Sequence, residues 1–389
     1  MKIKVGVIFG GESVEHEVSV ISALQAVESI DKDKYEVVPI YIGKNRLWYT
    51  SNVLLNVEEY KDIDVLIKKC KEVTLCKKDN EFCLLSTKGI INKVVETIDV
   101  AFPIVHGANV EDGTLAGYLD TVGIPYVGSK VLGASVGQDK VLLKQVLKSE
   151  KIPIVDYLWF YDVDYYENKD KYLNDIKKLG YPVVVKPATL GSSVGINFVK
   201  NDRVIEDAIN EAMEYDKKII VEKAVENLIE VNASVVGNYE HMEVSVLEEV
   251  LSSNNLLTYE DKYVGNAKTK GSKGMVNTSR IIPANISKEL TKKIQDTSLD
   301  VFKVLNFSGV VRIDYLIDSK SKEYYVNEPN TIPGSLSFYL WNKTNKNYKE
   351  LLDQLITISI REYKNKNKKV YSFDTNILKN FNGIKGVKK

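Results

Sequence analysis

Short apolar strand patterns alternate with helical patterns over the first 125 residues of the chain. The run VGVIF ends at the Gly10-Gly11 pair, and a helical pattern follows over residues 18–30. Further strand patterns occupy residues 35–42, 99–107 and 124–129, and a helical pattern occupies residues 114–123. Strands interleaved with helices imply parallel neighbours. The alternation therefore predicts an α/β domain built on a doubly wound, mostly parallel sheet.

Two polar loops follow strands of this predicted sheet, at residues 12–17 and 106–112. Sheets of this kind bind ligands beyond the carboxyl ends of their strands, where such loops converge. The pattern therefore places a candidate ligand site at these two loops, without indicating which ligand binds there.

The pattern changes after residue 180. Two strand patterns, YPVVVKPA and INFVK, are joined by the loop TLGSSVG with no helix between them. Further strand patterns lie at residues 219–225, 230–238, 309–318 and 323–329. Such strands need not be parallel, which favours the α+β class for this part. The polar stretch 259–280 is rich in glycine and lysine, and a long irregular segment of this kind is typical of a lid over a site or of disorder.

The charge balance bears on the class of partner. Lys plus Arg and Asp plus Glu number 53 each, so the chain has no net charge to attract nucleic acid or an anionic membrane surface. No run of 18 apolar residues occurs, and the N-terminus lacks a signal-peptide pattern. The three cysteines have no close ligand pairing and favour free thiols. We therefore expect a cytoplasmic protein.

The segments RID and NEPN combine hard oxygen ligands. Arg312 and Asp314 lie two residues apart on one predicted strand, so their side chains share a face, and Glu328 and Asn330 do the same on the next strand. A hairpin would bring the two carboxylates and the amide together, a set that suits Mg²⁺. An adjacent arginine could neutralise charge that develops on a reacting oxygen. The alternative is a surface ion-pair cluster on an edge hairpin, and spacing alone leaves both open.

The loop KPATLGSSVG at residues 186–195 is a candidate phosphate site. Its backbone N–H groups could point at phosphate oxygens, with Lys186 supplying a cation, although an ordinary glycine turn is the alternative. Neither a GxxxxGK[ST] nor a GxGxxG motif occurs. Glu222 could accept from an adenine amino group and Glu230 from a ribose hydroxyl, but such residues also form the solvent face of a strand.

Taken together, these segments resemble the ATP-grasp ligases, and closely the D-alanine–D-alanine ligase family. The resemblance runs from about Lys4 to Leu340 and covers nearly the whole chain. Its motifs, in the family's order, are VIFGGESVEHEVS, HGANVEDGTLAG, VGQDK, VVKPATLGSSVG, VEKAVENLIEVN, YEDKY, VVRIDYLID and VNEPNTIPG. The resemblance implies an ATP-grasp fold with an N-terminal doubly wound parallel-sheet domain, and ATP-dependent ligation of two D-alanines through an acyl phosphate.

The resemblance also implies residue roles. ATP would be bound by Lys140, Lys186, Gly191, Ser192, Ser193, Glu222, Lys223, Glu230 and Lys262. The catalytic set would be Glu15, Ser192, Tyr263, Arg312 and Gly334, with an oxyanion hole formed by the arginine and the glycine N–H. Substrate contacts would come from Glu15, His106, Arg312, Gly334 and Tyr339. The metal ligands would be Asp314, Glu328 and Asn330, holding two Mg²⁺ ions, for which Mn²⁺ could substitute.

The implied organisation has three domains and a tail. They are an N-terminal substrate domain (1–128), a central subdomain with the phosphate-covering hairpin (129–225), a C-terminal subdomain with the lid 259–280 and the metal site (226–362), and a basic tail (363–389) expected to be partly disordered. The expected partners are D-alanine and ATP, with neither nucleic acid nor membrane, and the resemblance implies a homodimer.

The second amino acid is the least determined part of this interpretation. Tyr339 stands where the common family pattern has a small serine near the second substrate's carboxylate, and Ser335 or Ser337 could replace that contact. D-Alanyl-D-serine or another dipeptide therefore stays open as the product, whereas Tyr263 disfavours an ester product. A nucleotide-binding homologue without catalysis is a further alternative, which the intact lysines and oxygen ligands disfavour.

Overall fold

The computed structural model describes residues 2–89, 93–107, 109–191, 194–251 and 279–370. A seven-stranded sheet forms its N-terminal part. The strands are β1 (Ile3–Gly10), β2 (Tyr35–Ile42), β3 (Trp48–Thr50), β4 (Lys71–Lys78), β5 (Glu81–Ser86), β6 (Val94–Ile98) and β7 (Val100–Pro103). The helices are α1 (His16–Ser29), α2 (Ile63–Lys68) and α3 (Thr114–Val122).

This sheet is parallel at its centre and antiparallel beyond it. Its order is β6-β5-β4-β3-β2-β1-β7, and β1 runs parallel to both β2 and β7. Alternate residues of β1 face different helices: Val7 packs in one cluster with α1, and Ile8 packs in another with α3. Helices therefore cover both faces, which confirms the doubly wound α/β prediction for the parallel strands.

The four strands β3 to β6 were not predicted, and they make the sheet mixed rather than mostly parallel. The β4–β5 hairpin turns through Asp79 and Asn80, both with positive φ, which is the two-residue geometry that matches strand twist. The predicted strand at 124–129 reduces to one parallel bridge between Tyr126 and Ala101.

The central part holds a four-stranded antiparallel sheet in the order β10-β9-β11-β8. Its strands are β8 (Tyr157–Tyr161), β9 (Val183–Pro187), β10 (Asn197–Val199) and β11 (Lys218–Lys223). The helices of this part are α4 (Val131–Gln138), α5 (Lys140–Ser149), α6 (Asp162–Glu167), α7 (Lys169–Leu179) and α8 (Ile205–Met213). Strands β9 and β10 are joined by the short glycine loop, and such a connection suits antiparallel neighbours, whereas parallel neighbours need a long crossover.

The C-terminal part is built on a third sheet in the order β15-β14-β12-β16-β17, with β13 paired to β12. Its strands are β12 (Leu228–Gly237), β13 (Met242–Val244), β14 (Glu248–Leu251), β15 (Ser279–Ile281), β16 (Gly309–Asp318) and β17 (Tyr324–Asn330). A 3₁₀ turn spans Gly334–Ser337, and the helices are α9 (Lys288–Val304), α10 (Phe338–Asn342) and α11 (Tyr348–Lys366).

The two faces of the third sheet differ in chemistry. Odd-numbered residues of β12 and β16, such as Val231 and Ile313, pack with α9 and α5 in an apolar core. The even-numbered residues Asn232, Arg312 and Asp314 lie on the other face, because neighbours along a strand alternate in direction. Helix α11 packs against the N-terminal strands through Leu351 and its neighbours, so the polar face of the third sheet is turned toward the N-terminal part.

Helix α11 corrects the expectation for the basic tail. The tail was predicted from residue 363, but the helix continues to Lys366. Its apolar stripe at Leu352, Leu355 and Ile356 is buried, and the last basic residues are carried on this packed helix, where cations favour the C-terminal end. Residues 371–389 lie outside the described part of the chain. The domain boundaries stay a prediction.

Candidate active site

Four polar residues form a row across the third sheet. Glu328 lies opposite Asp314, Asp314 lies opposite Asn232, and Asn232 lies opposite Glu248. Directly opposed residues of paired strands point to the same face, so the row crosses four strands on the polar face. One end of the row holds the predicted metal ligands, and the other holds a carboxylate that the sequence did not single out.

The predicted metal ligands meet around Asp314. Arg312 donates to both carboxylate oxygens of Asp314, Nε to Oδ1 at 2.7 Å and Nη2 to Oδ2 at 2.8 Å. The amide of Asn330 donates to Oδ2 of Asp314 at 3.2 Å, and Lys140 Nζ lies 3.4 Å from a carboxylate oxygen of Glu328. The hairpin therefore brings the predicted residues together, and two cations neutralise the carboxylates in this arrangement.

The donor set at this point suits a hard cation. Two carboxylates and one amide are the oxygen ligands that Mg²⁺ uses beside water and phosphate. Within the described ranges, no group of three His, Cys, Asp or Glu side chains is arranged to hold a metal. Asp314, Glu328 and the Asn330 amide include only two carboxylates, and their role as metal ligands stays a prediction.

A buried charge cluster lies behind the phosphate loop. Glu222 is 2% exposed, and its carboxylate is 2.6 Å from Lys186 Nζ and 3.0 Å from Lys144 Nζ. Burial alone would raise the pKa of Glu222, but the two lysines outweigh it and lower that pKa to about 2. Burial lowers the pKa of Lys144. The carboxylate thus holds Lys186 in place, and its assigned contact with adenine stays a prediction.

Sequence reasoning missed Lys144. It lies four residues after Lys140 on α5, on the same side of the helix as the buried Val141 and Leu147. The sequence signal for Lys144 was its position on the apolar face of an amphipathic helix. A cation in that position needs a buried partner of opposite charge.

Lys140 connects α5 to the glycine loop that was predicted as a phosphate site. Its Nζ donates to the carbonyl of Leu190 at 2.8 Å, and its backbone N–H donates to the carbonyl of Ala188 at 2.9 Å. Gly191 follows directly, and a Cβ added to it would meet no atom of the described residues within 4 Å. The loop backbone is therefore anchored at its start by a lysine whose charge also faces Glu328.

The two remaining residues assigned to the nucleoside, Lys223 and Glu230, occupy different positions in the structure. Lys223 Nζ donates to the carbonyls of Gly180 and Tyr181, at 2.9 and 3.0 Å, so it braces the start of β9. Glu230 lies two residues before Asn232 on β12 and is half-buried on the polar face. Their roles toward a nucleoside stay predictions.

The two N-terminal loops meet, as their predicted positions implied. Ser13 Oγ donates to the carbonyl of His106 at 2.8 Å. Gly107 has φ +93°, and an added Cβ would lie 2.8 Å from the Ser13 Cβ and 3.6 Å from a carboxylate oxygen of Glu15. Glu15 stands immediately before α1. The close approach requires glycine at 107 and places Glu15 beside the His106 loop.

His106 connects these loops to the segment after NEPN. Its Nε2 lies 3.3 Å from Ser22 Oγ, and the same oxygen accepts from the backbone N–H of Ser335 at 3.0 Å. Burial lowers the pKa of His106 to about 4, against a raising contact with the Ile332 backbone, and the Arg312 charge lowers it further. The charge of Arg312 on the third sheet therefore acts on His106 in the N-terminal part of the chain.

Another carboxylate, Glu111, lies in this region. It accepts from the Gly107 N–H at 2.8 Å. Burial raises the pKa of Glu111 to about 8, the charge of Glu15 adds to the rise, and the N–H of Gly107 opposes it. The charge of Arg312 thus acts on both His106 and Glu111 and lowers the pKa of each.

The turn that contains Gly334 is strained. Ser335, Leu336 and Ser337 have φ of 51°, 52° and 52°, a left-handed conformation that side chains disfavour. Ser335 Oγ donates to Gln25 on α1 at 2.7 Å, and Ser337 is fully buried. The turn brings α10 over the polar face of the third sheet, where the Trp341 indole N–H donates to Ser234 at 3.0 Å.

Comparison with known proteins decides the family. The model of the D-ala D-ala ligase N-terminus matches residues 4–129, and that of the D-ala D-ala ligase C-terminus matches residues 146–357. The chain belongs to the D-alanine–D-alanine ligase family. It is similar to the D-alanine–D-alanine ligase of Thermosipho melanesiensis, at 41% identity over 97% of this chain and 98% of that protein.

Solved ligases share this fold. The D-alanine–D-alanine ligase from Coxiella burnetii superposes with a TM-score of 0.78 at 28% identity, covering 94% of this chain and 96% of that one. The VanG D-Ala:D-Ser ligase from Enterococcus faecalis gives the same TM-score at 30% identity, covering 92% and 100%. The chain therefore has the ATP-grasp fold of these ligases, as predicted.

Several residues assigned in this ligase by resemblance lie outside the described part of the chain. They are Ser192, Ser193, Lys262 and Tyr263, together with the predicted lid except for its last two residues. Those two, at 279 and 280, begin strand β15 and pair with β14, so the lid's predicted C-terminal end belongs to the sheet. None of the helices in the described ranges is long and apolar enough to cross a bilayer.

We expect His106 of this ligase to titrate near pH 4 rather than near the ordinary histidine value of about 6.5, because protonation would place a second charge near Arg312 in a buried site. The neutral form stabilises the fold fully above pH 6.5, and this contribution is lost as pH falls from there toward 4. NMR titration of the imidazole resonances, assigned with His106→Gln, measures the midpoint. A midpoint near 6.5 would contradict the buried, neutral side chain.

Proposed function

We propose that this ligase joins two D-alanine molecules into D-alanyl-D-alanine, with ATP converted to ADP and phosphate. The observation that carries the proposal is the Arg312–Asp314–Asn330 contact set, whose arginine charge acts on His106, in the loop that lies beside Glu15. Relatives that are D-alanine–D-alanine ligases, at 41%, 39% and 36% identity, support the substrate pair. The dipeptide would serve as a precursor for peptidoglycan.

The proposed reaction has two steps. A carboxylate is a poor acyl donor because its leaving group would be an oxide, so transfer of the γ-phosphoryl group from ATP first converts it to an acyl phosphate. The amine of the second D-alanine then attacks the carbonyl carbon and expels phosphate. Lys140 and Lys186 would hold the transferring phosphates, since both ammonium groups lie at the glycine loop or the strand before it.

The residues on either side of the first amino acid have distinct tasks. Glu15 would receive its ammonium group, and neutral His106 would contact it without adding charge. Arg312 and the backbone N–H of Gly334 would stabilise the oxyanion that forms when the amine attacks. The bidentate bond to Asp314 fixes the plane of the guanidinium, so its remaining N–H groups are oriented before the reaction.

A divalent cation fits the same end of the row. Asp314, Glu328 and Asn330 would hold Mg²⁺, with a second ion shared with the phosphates, and Mn²⁺ would suit the same oxygen set. The metal would supply neutralisation of phosphate charge during transfer. For the cation to bind, it must be coordinated by Asp314 oxygens that now accept hydrogen bonds from Arg312. It must likewise be coordinated by the Glu328 oxygen that lies near Lys140.

A D-alanyl-D-serine product is the second candidate. Two observations support D-serine as the second amino acid: the similarity to a solved D-Ala:D-Ser ligase, and the presence of Tyr339 where the family pattern has a small serine. Cytoplasmic location and a homodimer stay predictions.

A product assay tests the proposal. The purified chain is supplied with ATP, Mg²⁺ and D-alanine, D-serine or both, and phosphate release and product mass are measured together. We expect one phosphate per D-alanyl-D-alanine, no turnover without D-alanine, and little product with D-serine. If D-alanyl-D-serine were the dominant product, the second candidate function would replace the first. Absence of turnover with every pair would overturn ligation and leave a binding protein without catalysis.

A further inference from the structure

The far end of the polar row carries a second charge cluster. Glu248, the last member of the row, is 1% exposed, and Asn232 links it to Asp314 across two strand pairings. Strands lie about 4.8 Å apart, so Glu248 is on the order of 10 Å from the Asp314 position. This separation is comparable to the length of one amino acid plus its hydrogen bonds.

Glu248 is held through one oxygen. Its Oε1 accepts from the Asn232 amide at 2.9 Å and from the Tyr339 hydroxyl at 2.8 Å. Its Oε2 is buried without a hydrogen bond within the described residues, and Arg280 Nη1 stands 3.4 Å away. A buried carboxylate of this kind needs a cation nearby, and Arg280 supplies the ion pair to this oxygen.

Arg280 lies on the open side of the cluster. Its guanidinium is stacked over the Tyr339 ring, 4.7 Å from the centroid, and its side chain is 32% exposed. It pairs with Val250, which is two residues beyond Glu248 and shares its face. A guanidinium has five N–H donors in a plane, so one contact with Glu248 leaves donors directed elsewhere.

The hydroxyl group of Tyr339 makes its hydrogen bond within this cluster. This hydroxyl donates its proton to Glu248, so it has no proton left for a second acceptor. Burial raises the Tyr339 pKa to about 12, against the charges of Arg312 and Arg280, which lower it. The phenol therefore supports the Arg280 guanidinium, which lies over its ring, beside Glu248.

An acceptor amino acid brings its own carboxylate to this face. Glu248, Asp314 and Glu328 would repel it, and the donors of Arg312 that are not bonded to Asp314 are assigned to the oxyanion in the proposed ligation. Building on the proposed ligation, we propose that Arg280, stacked on Tyr339 and paired with Glu248, binds the carboxylate of the second amino acid and so selects acceptors with a free carboxylate. Glu248 and Tyr339 are positioning residues that hold Arg280 in place.

Competition between two acceptors tests this role. D-Alanine serves as donor and is mixed, as acceptor, with an equal concentration of D-alaninamide, which lacks the carboxylate charge. The ratio of dipeptide to dipeptide amide is read by mass spectrometry. We expect the wild-type chain to favour D-alanine at least tenfold. Arg280→Met should lower the ratio roughly 10- to 100-fold, the worth of a charge-assisted hydrogen bond, and Arg280→Lys should give an intermediate ratio.

Further variants separate contact from neutralisation. In the double variant Glu248→Gln/Arg280→Met the ratio should stay low, because the carboxylate still lacks its donor. A return to the wild-type ratio would overturn the proposal, since Arg280 would then act only by neutralising Glu248. An unchanged ratio in Arg280→Met or Arg280→Lys would also overturn it.

The surface arginine Arg361, which pairs with one carboxylate on a neighbouring loop, provides the matched control Arg361→Met, and its ratio should equal the wild-type value. A wild-type chain that forms no dipeptide would instead overturn the proposed function, a result distinct from an active chain with an unchanged ratio.

Discussion

Replacing Arg312 with alanine is expected to lower kcat by about 10²–10³-fold, the usual cost of removing an oxyanion donor. The structure gives the physical reason: the side chain is fixed by two hydrogen bonds to Asp314 and lies close enough to His106 to lower the pKa of the imidazole. Because the interaction strengthens in the transition state, kcat and kcat/KM should fall together. Steady-state phosphate release with ATP and D-alanine measures both.

Two further variants support the interpretation. Arg312→Lys keeps a charge but loses the planar pair of donors, so we expect a loss smaller than that of alanine but still clear. Arg361→Ala, a surface substitution, should leave kcat unchanged and serves as the control. If Arg312→Ala kept the wild-type kcat with an intact fold, the oxyanion role would have to be withdrawn from Arg312.

Glu222→Gln is expected to lower the free energy of unfolding by about 3–5 kcal/mol, since it leaves a buried lysine without its ion pair. Lys144 is 1% exposed, and its Nζ faces the Glu222 carboxylate at 3.0 Å. The side chains are fully enclosed, so water cannot replace the lost partner. Urea unfolding followed by tryptophan fluorescence gives the change in stability.

The pH dependence of stability supplies a second readout for Glu222. Its pKa is lowered to about 2 in the fold, so its contribution is fully present above the unfolded value of about 4.5 and is lost as pH falls from there toward 2. The variant should therefore lose less stability over this range than the wild type.

The exposed pair Lys169–Glu206 has the same 2.6 Å separation as Lys186–Glu222, so Glu206→Gln is the matched control and should change stability by less than about 1 kcal/mol. Equal effects of the two substitutions would show that burial of the Glu222 cluster contributes nothing.

Local spacing was sufficient to predict that these polar residues lie together, whereas the family resemblance was needed to interpret them as the reacting end of the site. Arg312 and Asp314, two apart, and Glu328 and Asn330, two apart, needed only the period of a β-strand and one hairpin to be brought together. The alternation of strands and helices likewise predicted the parallel strands β1, β2 and β7.

The far end of the row depended on pairing between distant strands. Glu248 reaches Asp314 only because β12 pairs with β14 on one edge and β16 on the other. Arg280 reaches Tyr339 only because the turn after Gly334 lays α10 over that face. Neither the pairing of β12 with β14 nor the position of α10 leaves a periodic signal in the sequence. Glu248 and Arg280 could therefore not be assigned to the site from the sequence.

The antiparallel strands β3 to β6 were missed for a different reason. Exposed and buried residues alternate along β4, as in a sheet with one solvated face, whereas a continuous apolar run is the pattern that predicts a fully buried strand. The Asp79-Asn80 pair between β4 and β5 was the local signal that could have indicated a hairpin.

The central claim is that the first D-alanine is activated as an acyl phosphate, and oxygen transfer tests it most directly. D-Alanine labelled with ¹⁸O in both carboxylate oxygens is ligated with unlabelled ATP, and the released phosphate is analysed by mass. If a carboxylate oxygen attacks the γ-phosphorus and then leaves with it, each phosphate carries one ¹⁸O and the new peptide carbonyl keeps the other. Phosphate without ¹⁸O, formed at the same rate as the dipeptide, would contradict the account.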